Sequence, residues 1–262
     1  MRFMTLSSCS EGMMIGKSIY GKNNVMLLRR GYPIKGGHIR ALANLGYPGI
    51  YVDDEASAGV EVTEVVDPSI RVQASEAVSD LFENTKYLKQ ANTQQMAKGV
   101  ISSVSEIVDA ISNNNEPVIN IMSLKTYDEY TFQHSVDVTI LSVILGKEMN
   151  FTREQLHDLG KSAIFHDIGK MQVPKYILDK PGALTPQEFE EMKKHPELGY
   201  IIVKNFLNES ETIARGALFH HERFSGEGYP KKISGRQIPL FARIIAVADT
   251  YDAIVSNRTY KR

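Results

Sequence analysis

Cysteine is almost missing from this chain: Cys9 stands alone among 262 residues. A single thiol excludes an internal disulfide, its polar neighbours give no reason to make it a nucleophile, and a reducing cytoplasm is the compartment expected. An excess of either charge is missing too. With 30 basic against 31 acidic residues, a formal net charge of −1 and no long run of one sign, there is no electrostatic footprint for nucleic acid or an anionic membrane. Any anionic ligand has to be met locally. Long apolar runs are also absent. Residues 1–16 lack a stretch long enough for a signal peptide, and Val138–Gly146 is far too short to span a bilayer. No low-complexity tract and no repeat of solenoid length interrupts the chain. What remains is the expectation of a soluble globular protein with ample apolar content, large enough for a small domain joined to a larger one.

Residues 1–60 are rich in glycine and carry short β-prone runs, Val25–Leu28 and Gly49–Val52, with one helical candidate at Ile39–Leu45. This pattern predicts a small α+β accessory or regulatory domain. From about Asp67 the apolar period becomes helical, and Val72–Ile111 predicts two long amphipathic helices broken near Asn92–Thr93. Residues 61–92 are read as a helical linker and 93–262 as a mainly helical domain. Thr152 with Gln155, and Thr185 with Pro186 and Glu188, are capping boxes that predict helix starts.

Within the helical part, polar residues fall where apolar ones are expected. On the helix read from about Tyr127, His134 shares a face with Val138, Leu141 and Leu145, so its imidazole points inward. Taken alone, such a residue is more often a core histidine satisfied by a carbonyl. A helix predicted over Arg153–Gly169 brings the adjacent His166 and Asp167 to its end, with Gly169 terminating it. His195 precedes Pro196, at a predicted helix break. His220 and His221 are adjacent and run into a loop rich in glycine. On a helix predicted over Leu240–Val255, Asp249 and Asp252 share an apolar stripe with Phe241 and Ile245. Buried carboxylates need a partner, a hydrogen bond or a metal. His134, His166, Asp167, His195, His220, His221 and Asp249 together predict a metal site. Seven ligands without thiolate are too many for one zinc and suit two borderline divalent ions, Fe or Mn first, with Zn, Co and Ni as alternatives. The division read here gives His134, His166 and Asp249 to one ion and His195, His220 and His221 to the other, with Asp167 bridging. Two such ions hold a hydroxide between them and clamp a phosphodiester during in-line displacement.

Two look-alikes fall away. His157–Lys161 nearly copies His166–Lys170 but lies nine residues upstream, about 900° of helical turn away and so on the opposite face. His38 stands in a basic, glycine-rich stretch and is expected to be exposed. Gly-Tyr-Pro occurs at 31–33, 46–48 and 228–230, so the tripeptide alone marks only a turn.

These blocks resemble the HD-GYP family of cyclic dinucleotide phosphodiesterases over about Ser123–Arg262. The resemblance is carried by Tyr130–Ser135 around His134, His166–Lys170, Val173–Pro174, Lys180–Thr185, His195–Pro196, His220–Arg223, Gly226–Pro230, Ala246–Ala253 and Asn257–Arg262. It implies a helical HD-superfamily bundle and a centre of two or three metal ions that hydrolyses cyclic di-GMP to pGpG or GMP. Asp167 and Lys170 would be catalytic. Lys170, Asp252, Arg258 and Lys261 would serve substrate binding, with Asp252 also a candidate for orienting Lys170 or a ligand histidine. Gly228, Tyr229 and Pro230 would shape the rim or a partner surface. More weakly, Gly12–Met13 and Leu27–Gly31 resemble the small domain often fused ahead of this one.

The chain departs from the family at three points. Tyr130 stands where three-metal members carry glutamate, so two ions are expected. Ser225 replaces the usual aspartate or asparagine before Gly226, which is expected to loosen that turn or alter partner binding. The chain stops at Arg262, just after the last block, so the domain is expected to be truncated. Partners expected are cyclic di-GMP or cyclic GMP-AMP, a signalling protein at the Gly228–Pro230 loop and a second copy of the chain. Against the cyclic-dinucleotide phosphodiesterase stand a weakly active or inactive cyclic-dinucleotide receptor and another HD-superfamily phosphohydrolase acting on nucleotides.

Overall fold

The structure, a computed structural model, describes residues 1–20, 26–45, 47, 49–60, 65–85, 90–114 and 130–255. They form two compact units, one of residues 1–65 and one of residues 66–114 with 131–255.

In the first unit, strand β5 (Gly49–Asp53) lies between β1 (Arg2–Thr5) and β2 (Met14–Ile15), all antiparallel, with Phe3 opposite Tyr51 and Ile15 opposite Val52. Gly49 to Val52 are all buried, as befits the central strand. A separate ribbon pairs β3 (Ile19–Tyr20) with β4 (Met26–Leu28). Helix α1 (Gly36–Asn44) contributes Leu42 to a core of Leu6, Ile15, Ile34, Ile50 and Val52. His38 is half-buried rather than exposed: its Nδ1 accepts the Lys35 N–H at 3.2 Å and completes the start of α1.

The second unit is helical. Helices α2 (Pro68–Thr85) and α3 (Gln90–Asn113) pack against each other, and α3 also packs against α5 (Arg153–Ile164). The two helices expected over this stretch are there, but their boundary lies earlier than Asn92–Thr93: α2 ends at Thr85 and α3, starting at Gln90, runs through both residues with Thr93 buried. The rest comprises α4 (Tyr130–Glu148), α6 (Lys175–Leu178), α7 (Pro186–Met192), α8 (His195–Ile201), α9 (Glu211–Phe219) and α10 (Leu240–Val255). Both capping boxes form. Thr152 Oγ1 accepts the Gln155 N–H at 3.2 Å and Thr185 Oγ1 that of Glu188 at 3.3 Å, while the Gln155 and Glu188 side chains accept from Thr152 N and Thr185 N.

Two helices differ from expectation. Residues 133–144 of α4 are buried on every side, so the helix lies inside the unit rather than presenting one inward stripe. Helix α5 stops at Ile164, not Gly169, and the chain turns through Phe165, His166 and Asp167 into a 3-10 segment at Ile168–Gln172. Gly169 does not end a helix; it is a contact point. A Cβ there would stand 2.0 Å from the carbonyl oxygen of His195, so only glycine lets this segment lie against the start of α8. Ile164, Phe165 and Ile168, all buried, fix the turn in the core.

Candidate metal centre

Five segments of the second unit deliver side chains to Asp167. His134 comes from α4, His166 and Asp167 from the turn after α5, His195 from the first position of α8, His220 and His221 from the end of α9, and Asp249 from α10. Two groups emerge, His134 with His166 and Asp167, and Asp167 with His195, His220 and His221. Within each, the candidate ligand atoms lie within 4.8 Å of one another, and Asp167 belongs to both. One oxygen of Asp167 faces each group: Oδ2 lies 3.3 Å from His166 Nε2 and 3.8 Å from His134 Nε2, Oδ1 3.4 Å from His195 Nε2 and 3.7 Å from His220 Nε2. Asp249 belongs to neither group but stands beside the first, its Oδ1 3.2 Å from His134 Nε2.

The imidazoles are held from behind. His166 Nδ1 donates to the carbonyl of Ala163 at 2.6 Å, His195 Nδ1 to Met192 at 2.8 Å and His220 Nδ1 to Ala217 at 2.8 Å, each three residues upstream. His134 Nδ1 instead meets Asp252 Oδ2 at 2.7 Å. Placing the proton on Nδ1 leaves Nε2 with its lone pair aimed inward, the tautomer and orientation that a metal ligand needs. Two atoms at the middle of the cluster, His166 Nε2 and Asp167 Oδ1, are buried without a hydrogen-bond partner. His195 Nε2 and His220 Nε2 lie 3.2 Å apart, and two acceptors so placed call for a cation between them. The donor set and its orphaned atoms therefore fit divalent metal ions.

The electrostatics agree. Burial pushes His195 down to about 3 and His220 and His221 below the ordinary histidine range, so these rings are neutral, as ligation requires. Burial would raise Asp167, yet Lys170 and the neighbouring imidazoles hold it well below the carboxylate range. Asp249 is likewise held down against its burial, chiefly by His134. At His134 burial opposes the charge, but Asp249, Asp252 and Asp167 outweigh it and raise the ring to about 9.

Lys170 extends its Nζ to Asp167 Oδ2 at 2.5 Å. The loop after α9 returns to the centre. Tyr229 stacks on the His221 ring at 4.7 Å, and its N–H donates to His221 O at 3.2 Å. Glu222, which the sequence reading left without a role, is buried and accepts the Lys231 N–H at 2.7 Å. Its backbone leaves no space for a side chain at Gly228, where a Cβ would lie 2.4 Å from Glu222 Cα. Only the approach of the two loop ends reveals this clamp. Within the turn before Gly226, Ser225 Oγ accepts the Glu227 N–H at 3.4 Å. The look-alike His157 faces Ser105 at 3.5 Å, and Lys161 pairs with Glu209 at 3.0 Å, both away from Asp167. Arg258 and Lys261 lie outside the described residues, as does the side chain of Tyr130. Among the described residues no helix is long and apolar enough to cross a membrane.

A helical bundle that gathers histidines and aspartates from five segments on one adjacent His-Asp pair defines a metal-binding protein of the HD type. Residues 85–262 match the HD domain family, and the chain belongs to it. It is 36% identical over 190 residues to a cyclic di-GMP phosphodiesterase of Pseudomonas aeruginosa, covering 72% of this chain and 45% of that protein. It is 41% identical over 147 residues to a cyclic di-GMP phosphodiesterase of Thermotoga maritima, covering 55% of this chain and 39% of that one. The chain thus spans less than half the length of these two curated relatives. Among solved structures, an HDG"Y"P protein from Bdellovibrio bacteriovorus superposes with a TM-score of 0.61 at 19% identity, over 97% of this chain and 88% of that one, a likeness of fold.

Proposed function

We propose that the helical unit is a metal-dependent phosphodiesterase that hydrolyses cyclic di-GMP to pGpG, and onward to GMP, at the centre around Asp167. The observation that carries the proposal is that Asp167 presents one oxygen to each of two ligand groups. In this reading His134, His166 and Asp249 would hold one ion, His195, His220 and His221 the other, and Asp167 would serve both. The nitrogen-and-oxygen donor set suits borderline divalent ions, and iron or manganese is proposed first, with zinc, cobalt and nickel as alternatives. When bound, such a pair supplies positive charge and Lewis acidity to a phosphodiester. The protein's own groups do the rest. Asp252 keeps His134 turned inward, Asp167 holds both groups in one register, and Lys170, with its side chain 26% exposed, offers its ammonium to a phosphate oxygen. Arg258 and Lys261 are proposed as further substrate contacts, residues 1–60 as an accessory domain and 93–262 as the catalytic one, acting in the cytoplasm.

The test is turnover. Anaerobically purified protein loaded with Mn or ferrous iron is incubated with cyclic di-GMP and, separately, with cyclic GMP-AMP, and products are resolved by chromatography. Linear product from cyclic di-GMP that disappears in Asp167→Ala supports the proposal. Intact cyclic di-GMP beside cleaved cyclic GMP-AMP reassigns the substrate, and no product from either sinks the reading.

A further inference from the structure

One row of side chains leads from the centre to solvent. The Tyr229 ring stacks on His221 at an interplanar angle of 27°, and the Phe189 ring of α7 meets Tyr229 nearly edge-on, 77° and 6.5 Å between centroids. Lys193, just past α7, holds its Nζ 4.7 Å from the centre of the Phe189 ring and 5.9 Å from that of Tyr229. Exposure grows along the row: His221 and Tyr229 are half-buried, while Phe189 is 44% exposed. The inner end is fixed. Tyr229 is clamped by its hydrogen bond to His221 O, by Lys231 N–H on Glu222 and by the packing of Gly228 on Glu222. The outer end presents an aromatic surface to water beside the Lys193 ammonium, which forms a surface pair with Glu190, 2.6 Å away. Such a pair is worth little and exchanges readily for another acceptor.

We propose that Phe189, Tyr229 and Lys193 form the nucleobase subsite of this centre, Phe189 stacking a purine and Lys193 choosing guanine. The proposal rests on the phosphodiesterase reading above. Aromatic side chains bind bases through their π-faces without regard to sequence. A lysine ammonium supplies the discrimination, because guanine offers it two acceptors, O6 and N7, where adenine places an amino donor beside N7. The row starts at a metal-group histidine, so a base stacked at its outer end belongs to the nucleotide whose phosphate lies over Asp167 and Lys170.

The experiment titrates GMP, AMP and inorganic phosphate by calorimetry into Mn-loaded wild-type, Phe189→Ala and Lys193→Met protein. Tyr176→Ala, an aromatic 71% exposed on α6, is the control. The expected result is that Phe189→Ala weakens GMP about tenfold and leaves phosphate unchanged, that Lys193→Met removes the preference for GMP over AMP, and that Tyr176→Ala changes neither. Unaltered GMP affinity in Phe189→Ala, an equal loss for phosphate, or wild-type protein that binds GMP no better than phosphate each overturns the subsite. Because binding is read without turnover, a wild-type protein that binds GMP through Phe189 yet cleaves nothing condemns the phosphodiesterase reading and not the subsite.

Discussion

Gly169 lies against the carbonyl oxygen of His195, with room for a hydrogen and nothing larger: a methyl group would stand 2.0 Å from that oxygen and 2.5 Å from Gly199 N. This contact brings Asp167 to the His195 group. Gly169→Ala should therefore destabilise the unit by about 1–3 kcal/mol through overpacking against backbone and lower the metal content. Thermal denaturation and metal analysis of one preparation check it; a variant as stable and as fully loaded as wild type would refute the role given to the contact.

The hydrogen bond from His134 Nδ1 to Asp252 makes a second prediction. Asp252→Asn keeps the shape of the side chain but loses the anion that orients and polarises the ring, so metal affinity should fall about 10- to 100-fold. Chelator competition measures this. His157→Asn, at the look-alike histidine facing Ser105, should leave affinity unchanged.

Features set by neighbours in sequence were legible in it. The capping boxes at Thr152 and Thr185 and the helix Leu240–Val255 are local matters of side chain and backbone, and the structure has all three. Features set by distant contacts were not. The apolar period continues past Ile164, yet α5 ends there because the turn at His166 and Asp167 must meet α8, a requirement written in Gly169 and His195 together. Likewise the composition of α4 does not reveal that α4 is enclosed on every side, nor that Glu222 fastens the loop carrying Tyr229. The histidines and aspartates that meet around Asp167 were visible because imidazoles and carboxylates recur on apolar faces. Which oxygen of Asp167 serves which group required the fold.

His134 sets a pH dependence in metal-free protein. Its folded value of about 9 lies above the ordinary 6.5, so its contribution to stability is complete below about pH 6.5 and is lost as the pH rises through about 9. The loss is about 3 kcal/mol. Metal must displace the same proton, so binding at pH 7 should release it and affinity should rise with pH up to about 9. Denaturant melts of metal-free protein across this range, with calorimetry in buffers of different ionisation enthalpy, read both effects. Stability that rises from pH 6.5 to 9 would show the sign to be wrong.

Lys170 separates binding of metal from use of it. Lys170→Met should leave both ions in place while lowering turnover of cyclic di-GMP about 100-fold, the scale of losing one charged donor at a developing negative charge. Steady-state kinetics on a preparation of known metal content decide this, and unchanged turnover would remove Lys170 from the catalytic set.

The sharing of Asp167 between two ions is tested most directly by iron stoichiometry and Mössbauer spectroscopy on anaerobically loaded protein, wild type against Asp167→Ala. Two iron ions per chain with the spectrum of a magnetically coupled pair, and loss of coupling with loss of iron in the variant, is the predicted result. A single ion per chain, or two uncoupled ions that survive Asp167→Ala, would contradict it.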